Sequence, residues 1–205
     1  IITSEKSGFC NLISKYFALN NNDICIIEKD SEIKIKTEDR YKLSKIDKCL
    51  IELTPDPYPH WMLKEIYDQE QSSLRAIKLG SRILNNDSVF IGGLNEKRQE
   101  LENVDNLILL ACGTSFNAGH FTIDYFKDLC KFNNVQIIDG ADFKFLDVPK
   151  KGKTCLILLS QSGETKDLHR CIDIAKKYEL LTIGVVNVVD SLIAREVDCG
   201  CYLHA

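Results

Sequence analysis

Two runs of leucine-rich and β-branched residues each break into a small, hydroxyl-rich turn. That pairing limits the possible folds more than any other feature of the chain. The first run, residues 107–111 (Leu-Ile-Leu-Leu-Ala), is followed by Cys112, Gly113, Thr114 and Ser115. The second, residues 155–159 (Cys-Leu-Ile-Leu-Leu), is followed by Ser160, Gln161, Ser162, Gly163, Glu164 and Thr165. Helical periodicity resumes after each turn. Apolar runs without polar alternation fit strands covered on both faces, hence a parallel sheet with helical crossovers. Right-handed crossovers then predict a doubly wound α/β domain.

Further strands are expected at 135–138, 180–186 and 199–203, which makes a five-stranded sheet. After the first turn, a helix is expected to bury Ala118, Phe121, Tyr125 and Leu129. After the second, a helix is expected to bury Leu168, Cys171, Ile172, Ala175 and Tyr178. A short helix is read at 190–196, a polar connection at 140–153, a loop at 85–93 and a polar helix at 96–103.

Upstream the pattern changes. Residues 1–53 alternate short apolar runs with polar turns, with strands expected at 23–27 and, by strict alternation, at 33–36. A turn is expected at 20–23. Residues 54–59 hold three of the four prolines and read as a stiff connector. A helix follows over 60–79, with Leu63, Ile66, Tyr67, Leu74 and Ile77 on one face and Gly80 as its stop. The sequence opens on Ile1 and closes just after a strand-like run, so it reads as a fragment of a longer protein.

In a doubly wound sheet, ligands sit beyond the carboxyl ends of the strands, where both turns fall. Gly113 and Gly163 allow close backbone approach, and Thr114, Ser115, Ser160, Ser162 and Thr165 offer hydroxyls. The N–H groups at the helix starts add unpaired donors and a favourable dipole. Neither turn contains Lys or Arg, so a phosphate would be held by neutral donors, which suits a sugar monophosphate. The alternative is that these hydroxyls merely cap helices. Neither a Walker loop nor a G-x-G-x-x-G fingerprint is present. Cys112 at a helix start invites a nucleophile reading, with packing as the alternative. Glu164 invites an acid/base reading, with dipole complementation as its alternative.

Several classes are disfavoured. The formal charge of −4 offers no nucleic-acid footprint. No apolar stretch reaches the ~20 residues of a membrane helix. The nine cysteines are scattered and read as reduced thiols, and the four histidines lack metal spacing.

The segment 160–165 (Ser-Gln-Ser-Gly-Glu-Thr), with the partner turn 112–115 (Cys-Gly-Thr-Ser), resembles the signature of the SIS (sugar isomerase) domain family. Residues 60–69 (His-Trp-Met-Leu-Lys-Glu-Ile-Tyr-Asp-Gln) narrow the resemblance to the glutamine–fructose-6-phosphate aminotransferases, also called glucosamine-6-phosphate synthases. Asp68 stands where that family usually has Glu. Residues 2–5 and 22–25 resemble the last strands of the family's glutaminase domain, and Asn187 and residues 191–196 also resemble the family.

The resemblance implies three parts: the C-terminal edge of a glutaminase-type domain over 1–53, a linker and helix over 54–83, and a first SIS domain over 84–205, truncated at its end. It implies fructose 6-phosphate and glucosamine 6-phosphate as ligands, with no cofactor. Ser115, Ser160, Gln161, Ser162 and Thr165 would hold the phosphate, and Cys112, Gly113 and Thr114 would line the sugar. The family's catalytic groups (an N-terminal cysteine, a carboxylate and histidine of the second SIS domain, a lysine of the tail) have no counterpart in this sequence. The parent would be a cytoplasmic homodimeric enzyme. The alternatives are a non-catalytic SIS sensor module attached to a regulator and an inactive family member.

Overall fold

A buried strand must satisfy its backbone through neighbouring strands, and the apolar runs here do so in parallel. The computed structural model describes residues 1–3, 12–17, 19, 24–26, 34–36, 43–45 and 54–205. The chain divides into two units, Ile1–Ile66 and Tyr67–Ala205.

In the first unit, β1 (Lys15–Tyr16), β2 (Ile24–Ile26), β3 (Lys34–Lys36) and β4 (Ser44–Lys45) form two antiparallel pairs, β1 with β4 and β2 with β3. The expected strands at 23–27 and 33–36 are therefore seen in their described parts. The expected turn at 20–23 lies outside the described residues. Helix α1 (Trp61–Ala76) follows the proline connector and ends before a 3₁₀ turn at Lys78–Gly80, where Gly80 takes φ +87°. None of the residues of α1 is buried; of its expected apolar stripe, Ile66, Tyr67 and Leu74 are exposed and Leu63 is half-buried.

The expected loop at 85–93 is corrected. β5 (Ile83–Asn85) and β6 (Ser88–Val89) form a hairpin, closed by the Asp87 N–H donating to Asn85 Oδ1 at 2.9 Å. The short polar side chain bonds its own backbone two residues on, which makes a turn. Only single helical turns follow, α2 (Gly92–Asn95) and α3 (Arg98–Leu101), in place of the expected helix over 96–103.

The second unit is built around β7 (Asn106–Ala111), α4 (Thr114–Leu129), β8 (Asn134–Asp139), β9 (Thr154–Ser160), α5 (Lys166–Lys177), β10 (Leu181–Val186), α6 (Leu192–Glu196) and β11 (Cys199–Tyr202). The strands form one parallel sheet in the order β11-β10-β9-β7-β8. From β7 the chain steps outward to β8 through α4, and from β9 it steps the opposite way to β10 through α5. Strand order therefore reverses between β7 and β9.

The two faces of the sheet carry separate cores, as period-two alternation requires. Ile108, Leu110, Leu156 and Leu158 pack on one face with Leu168, Cys171 and Ile172 of α5 and Ile193 of α6. Leu107, Leu109, Cys155 and Ile157 pack on the other with Ile123 of α4. The expected α/β doubly wound five-stranded sheet is the observed one.

The helix faces divide. In α5, Leu168, Cys171, Ile172 and Ala175 are buried as expected, whereas Tyr178 is partly exposed and stacks on Phe145 at 3.5 Å between ring centroids. In α4 the expectation fails: Phe121 is 71% exposed and Leu129 80%, Ala118 and Tyr125 are exposed too, and the buried residues are Gly119 and Ile123. The reason is a missing side chain. A Cβ at Gly119 would overlap Ile137 and Leu159, so the glycine is what lets α4 approach the sheet. Periodicity counted the aromatic stripe and passed over the glycine.

The 140–153 connection buries Phe143 completely. It is tied to α5 by Arg170, whose Nη1 donates to the Phe143 carbonyl (3.0 Å) and whose Nη2 donates to the carbonyls of Gly140 (2.8 Å) and Ala141 (2.9 Å). Among the described residues no helix is long and apolar enough to cross a membrane.

Candidate functional site

The reversal between β7 and β9 leaves a crevice at the carboxyl edge of the sheet, because the two following chain segments depart in opposite directions. Both hydroxyl-rich turns open on it. Ala111 is level with Leu159 in the ladder, so the turns leave neighbouring strands one residue apart in height. Adjacent strands lie ~4.8 Å apart. Helices α4 and α5 start from these turns on opposite faces, and their N-termini flank the crevice.

The first turn is formed by Gly113, at φ +59° and ψ −133°, a conformation essentially reserved for glycine. Its carbonyl accepts the N–H groups of Phe116 (3.1 Å) and Asn117 (3.4 Å) and so starts α4. The N–H groups of Thr114 and Ser115 find no acceptor among the described residues. Gly113 and Thr114 are exposed and Ser115 is half-buried. Cys112 turns inward against the core and the Gly140 backbone. Burial, and secondarily the Asp139 carboxylate, push its thiol up. A thiol held protonated is a poor nucleophile, which favours the packing reading.

The second turn is internally bonded. Ser160 is buried; its hydroxyl accepts the Gly163 N–H at 3.0 Å and is hydrogen-bonded to Thr165 Oγ1 at 2.9 Å. Ser162 Oγ accepts the Glu164 N–H at 3.2 Å. Gly163 sits at φ +69°, where a Cβ would overlap the Ser191 hydroxyl. The N–H groups of Gln161, Ser162, Thr165, Lys166 and Asp167 find no acceptor among the described residues. Gln161 is exposed, and Ser162 and Thr165 are half-buried.

The eight residues singled out from the sequence thus lie at one edge of the sheet, in two turns on adjacent strands. Ser160 differs from the rest, since its hydroxyl already has two partners inside the turn. Two helix starts with unpaired donors, and no cationic side chain in either turn, suit a compact anion held by backbone and hydroxyl groups. Among the described residues no group of His, Cys, Asp and Glu could hold a metal ion.

A cavity of about 570 Å³, lined in part by Phe145, Pro149, Lys153 and Tyr178, lies elsewhere. Thr154 and Leu181, which also line it, open β9 and β10, so it sits at the amino edge of the sheet. Among the described residues no helix starts converge on it with free N–H groups, and the donor geometry favours the paired turns.

The sequence marked Asn187 and residues 191–196 only as family-like and did not place them behind the second turn. The Asn187 and Val188 N–H groups donate to the Gln161 carbonyl at 3.2 and 3.3 Å, and Ile193 N–H donates to the Gly163 carbonyl at 2.9 Å. Asn187 also bonds both ways with Ala205, its Nδ2 donating to the Ala205 carbonyl (2.9 Å) and its Oδ1 accepting the Ala205 N–H (2.7 Å). Arg170 was missed as well. The partners lie far away in sequence, so no local pattern announces them.

Fold, switch-point crevice and paired turns define a sugar-isomerase-type α/β domain, and the chain belongs to the SIS domain family, whose model matches residues 100–205. Over its whole length it is similar to a protein of Acanthamoeba polyphaga mimivirus described as "Probable glutamine–fructose-6-phosphate aminotransferase (isomerizing)". The identity is 42% over 206 residues, covering 100% of this chain and 33% of that protein. It is also similar to the glutamine–fructose-6-phosphate aminotransferase (isomerizing) of Saccharomyces cerevisiae, 28% identical over 211 residues, covering 100% of this chain and 29% of the yeast protein. Among solved structures it resembles the C-terminal domain of glucosamine-fructose-6-phosphate aminotransferase from Francisella tularensis. There the TM-score is 0.62 with 26% identity, covering 73% of this chain and 41% of that one. The chain spans about a third of the length of the curated relatives it matches.

Proposed function

We propose that this chain is the sugar-phosphate-binding segment of a glutamine–fructose-6-phosphate aminotransferase. The parent enzyme would move ammonia from glutamine onto fructose 6-phosphate and isomerise the adduct to glucosamine 6-phosphate. The observation that carries the reading is the pair of helix starts, α4 and α5, opening with unpaired N–H groups on one switch-point crevice. Similarity of the whole of this chain to a part of aminotransferases of this name supports the choice of sugar.

In this reading the N–H groups of Thr114, Ser115, Thr165 and Lys166, with the hydroxyls of Ser115, Ser162 and Thr165 and the amide of Gln161, grip the phosphate. Ser160 shapes the turn that presents them, and Cys112, Gly113 and Thr114 border the sugar. The segment's contribution is orientation: it holds the substrate by the end remote from the reacting carbons, and so lowers the entropic cost of the chemistry. Residues 1–53 and 54–83 correspond to a glutaminase edge and a linker. For the full-length parent, the resemblance to the aminotransferase family implies a cytoplasmic homodimer.

The test is a titration of fructose 6-phosphate into the chain, followed by backbone amide resonances. Shifts are expected in residues 112–115 and 160–167 together. Ser162→Ala should weaken binding by roughly tenfold, the scale of one hydrogen bond to a charged group. Shifts confined to the amino-edge cavity, or a Ser162→Ala protein with unaltered affinity, would remove the assignment.

A further inference from the structure

A carboxylate within an anion-binding turn is a contradiction, and the position of Glu164 resolves it. Its charge beside a bound phosphate would repel the ligand. The side chain instead reaches α6, where Oε1 accepts the N–H of Leu192, the first residue of that helix, at 2.9 Å. The Gly163 carbonyl accepts the next N–H, from Ile193, at 2.9 Å. An N-cap serine usually supplies such an acceptor itself. Ser191 holds the N-cap position of α6 but makes no cap bond. Its hydroxyl is buried and has no hydrogen-bond partner among the described residues, in the space a Cβ at Gly163 would need. The turn has taken over the capping of α6.

The remaining bonds run the same way. The Gln161 carbonyl takes the N–H groups of Asn187 and Val188. Acceptors of the turn are thus engaged by the 187–193 segment, while the N–H groups of Gln161, Ser162 and Thr165 find no acceptor among the described residues. With the Gln161 and Gly163 carbonyls and the Glu164 carboxylate tied from one side, the turn keeps its donors available for an anion.

Resting on the reading of this turn as the phosphate receptor, we propose that Glu164 is a positioning residue, whose bond to Leu192 fixes the shape in which residues 160–165 meet the sugar phosphate. It acts through geometry and not through charge. The two roles predict opposite signs. If charge dominated, Glu164→Ala and Glu164→Gln would both tighten binding by removing repulsion. If position dominates, Glu164→Ala weakens binding, whereas Glu164→Gln, which keeps an oxygen to accept the Leu192 N–H, binds about as well as the parent.

The experiment measures dissociation constants of the full chain for fructose 6-phosphate and for inorganic phosphate, with the amide resonances of Gly163 and Leu192 and the thermal melt recorded for each variant. Glu164→Ala is expected to weaken both ligands about tenfold, the scale of one charge-assisted bond, and to move both resonances. Glu164→Gln should stay within about threefold of the parent. If Glu164→Ala does not melt cooperatively, Glu164→Asp, too short to reach Leu192, takes its place with the same expected loss. The proposal is overturned if the alanine variant binds as tightly as the parent, or if the glutamine variant is as weak as the alanine one. Ser162→Ala separates the two readings: a loss there with none at Glu164 sinks only the positioning role, while a parent chain that binds neither ligand sinks the site and this role together.

Discussion

The turn after β7 stands open, and the turn after β9 is held from within and from behind. Among the described residues nothing lies within 4 Å of where a Cβ on Gly113 would go, whereas Gly163 is buried against Ser191. The first turn owes its shape to one glycine conformation and the start of a long helix. The second has two serine hydroxyls, the Gly163 carbonyl and the Glu164 carboxylate all engaged in bonds. The helices repeat the contrast: α5 buries its apolar face under the sheet, and α4 leaves an aromatic stripe exposed. Both units share one mechanical plan, but only the second is pre-shaped, so the second should dominate affinity and the first should adapt to it.

Substitution of the two glycines is the strongest way to break that contrast. Gly163→Ala combines left-handed backbone strain with overlap against Ser191, together roughly 2–6 kcal/mol of destabilisation. Gly113→Ala meets only strain, about 1–3 kcal/mol. Chemical denaturation of both variants should show the larger loss at Gly163; equal losses would mean the second turn relaxes as freely as the first.

The helices give the next test. Ile172→Ala, in the α5 core, should cost about 2–5 kcal/mol. Leu129→Ala, on the exposed stripe of α4, should stay within about 0.5 kcal/mol. A large loss at Leu129 in the isolated chain, measured by the same unfolding curves, would show that the stripe is covered.

Thiol chemistry sharpens the comparison at the smallest scale. Burial pushes Cys171 of α5 up to about 12 and Cys199 of β11 up to about 11. Each folded value lies above the ordinary thiol value, so the folded state retains a proton that the unfolded chain releases. The resulting stability is complete below about pH 8.5 and is lost as pH rises from there toward 11–12. Melting temperature should therefore fall on the alkaline side, and less so in a Cys171→Ala protein. Alkylation at pH 8 should label half-buried Cys112 before buried Cys171; the reverse order would contradict the inward packing of α5.

Much of this was legible in the sequence because it depends on neighbours. Residues 107–111 and 155–159 read as buried strands by their length and β-branched, Leu-rich composition, and the small hydroxyl residues after them read as turns opening helices. The face of α4 was not legible, since the decisive residue, Gly119, acts by lacking a side chain. The hairpin at 83–89 was missed because its strands are too short to show alternation. Glu164 looked like an ordinary first-turn acid; its partner, Leu192, lies 28 residues away.

By itself, the sequence determined the parallel α/β class, the two donor-rich turns and the absence of cationic side chains within them. Local periodicity and residue chemistry specify these without reference to distant parts of the chain. Only the tertiary structure decided that strand order reverses between β7 and β9, so that the two turns share one crevice. Only it showed that the second turn is braced by α6 while the first is not. Those outcomes depend on which strands pair and which backbone groups meet across long separations, and a linear pattern does not encode such contacts.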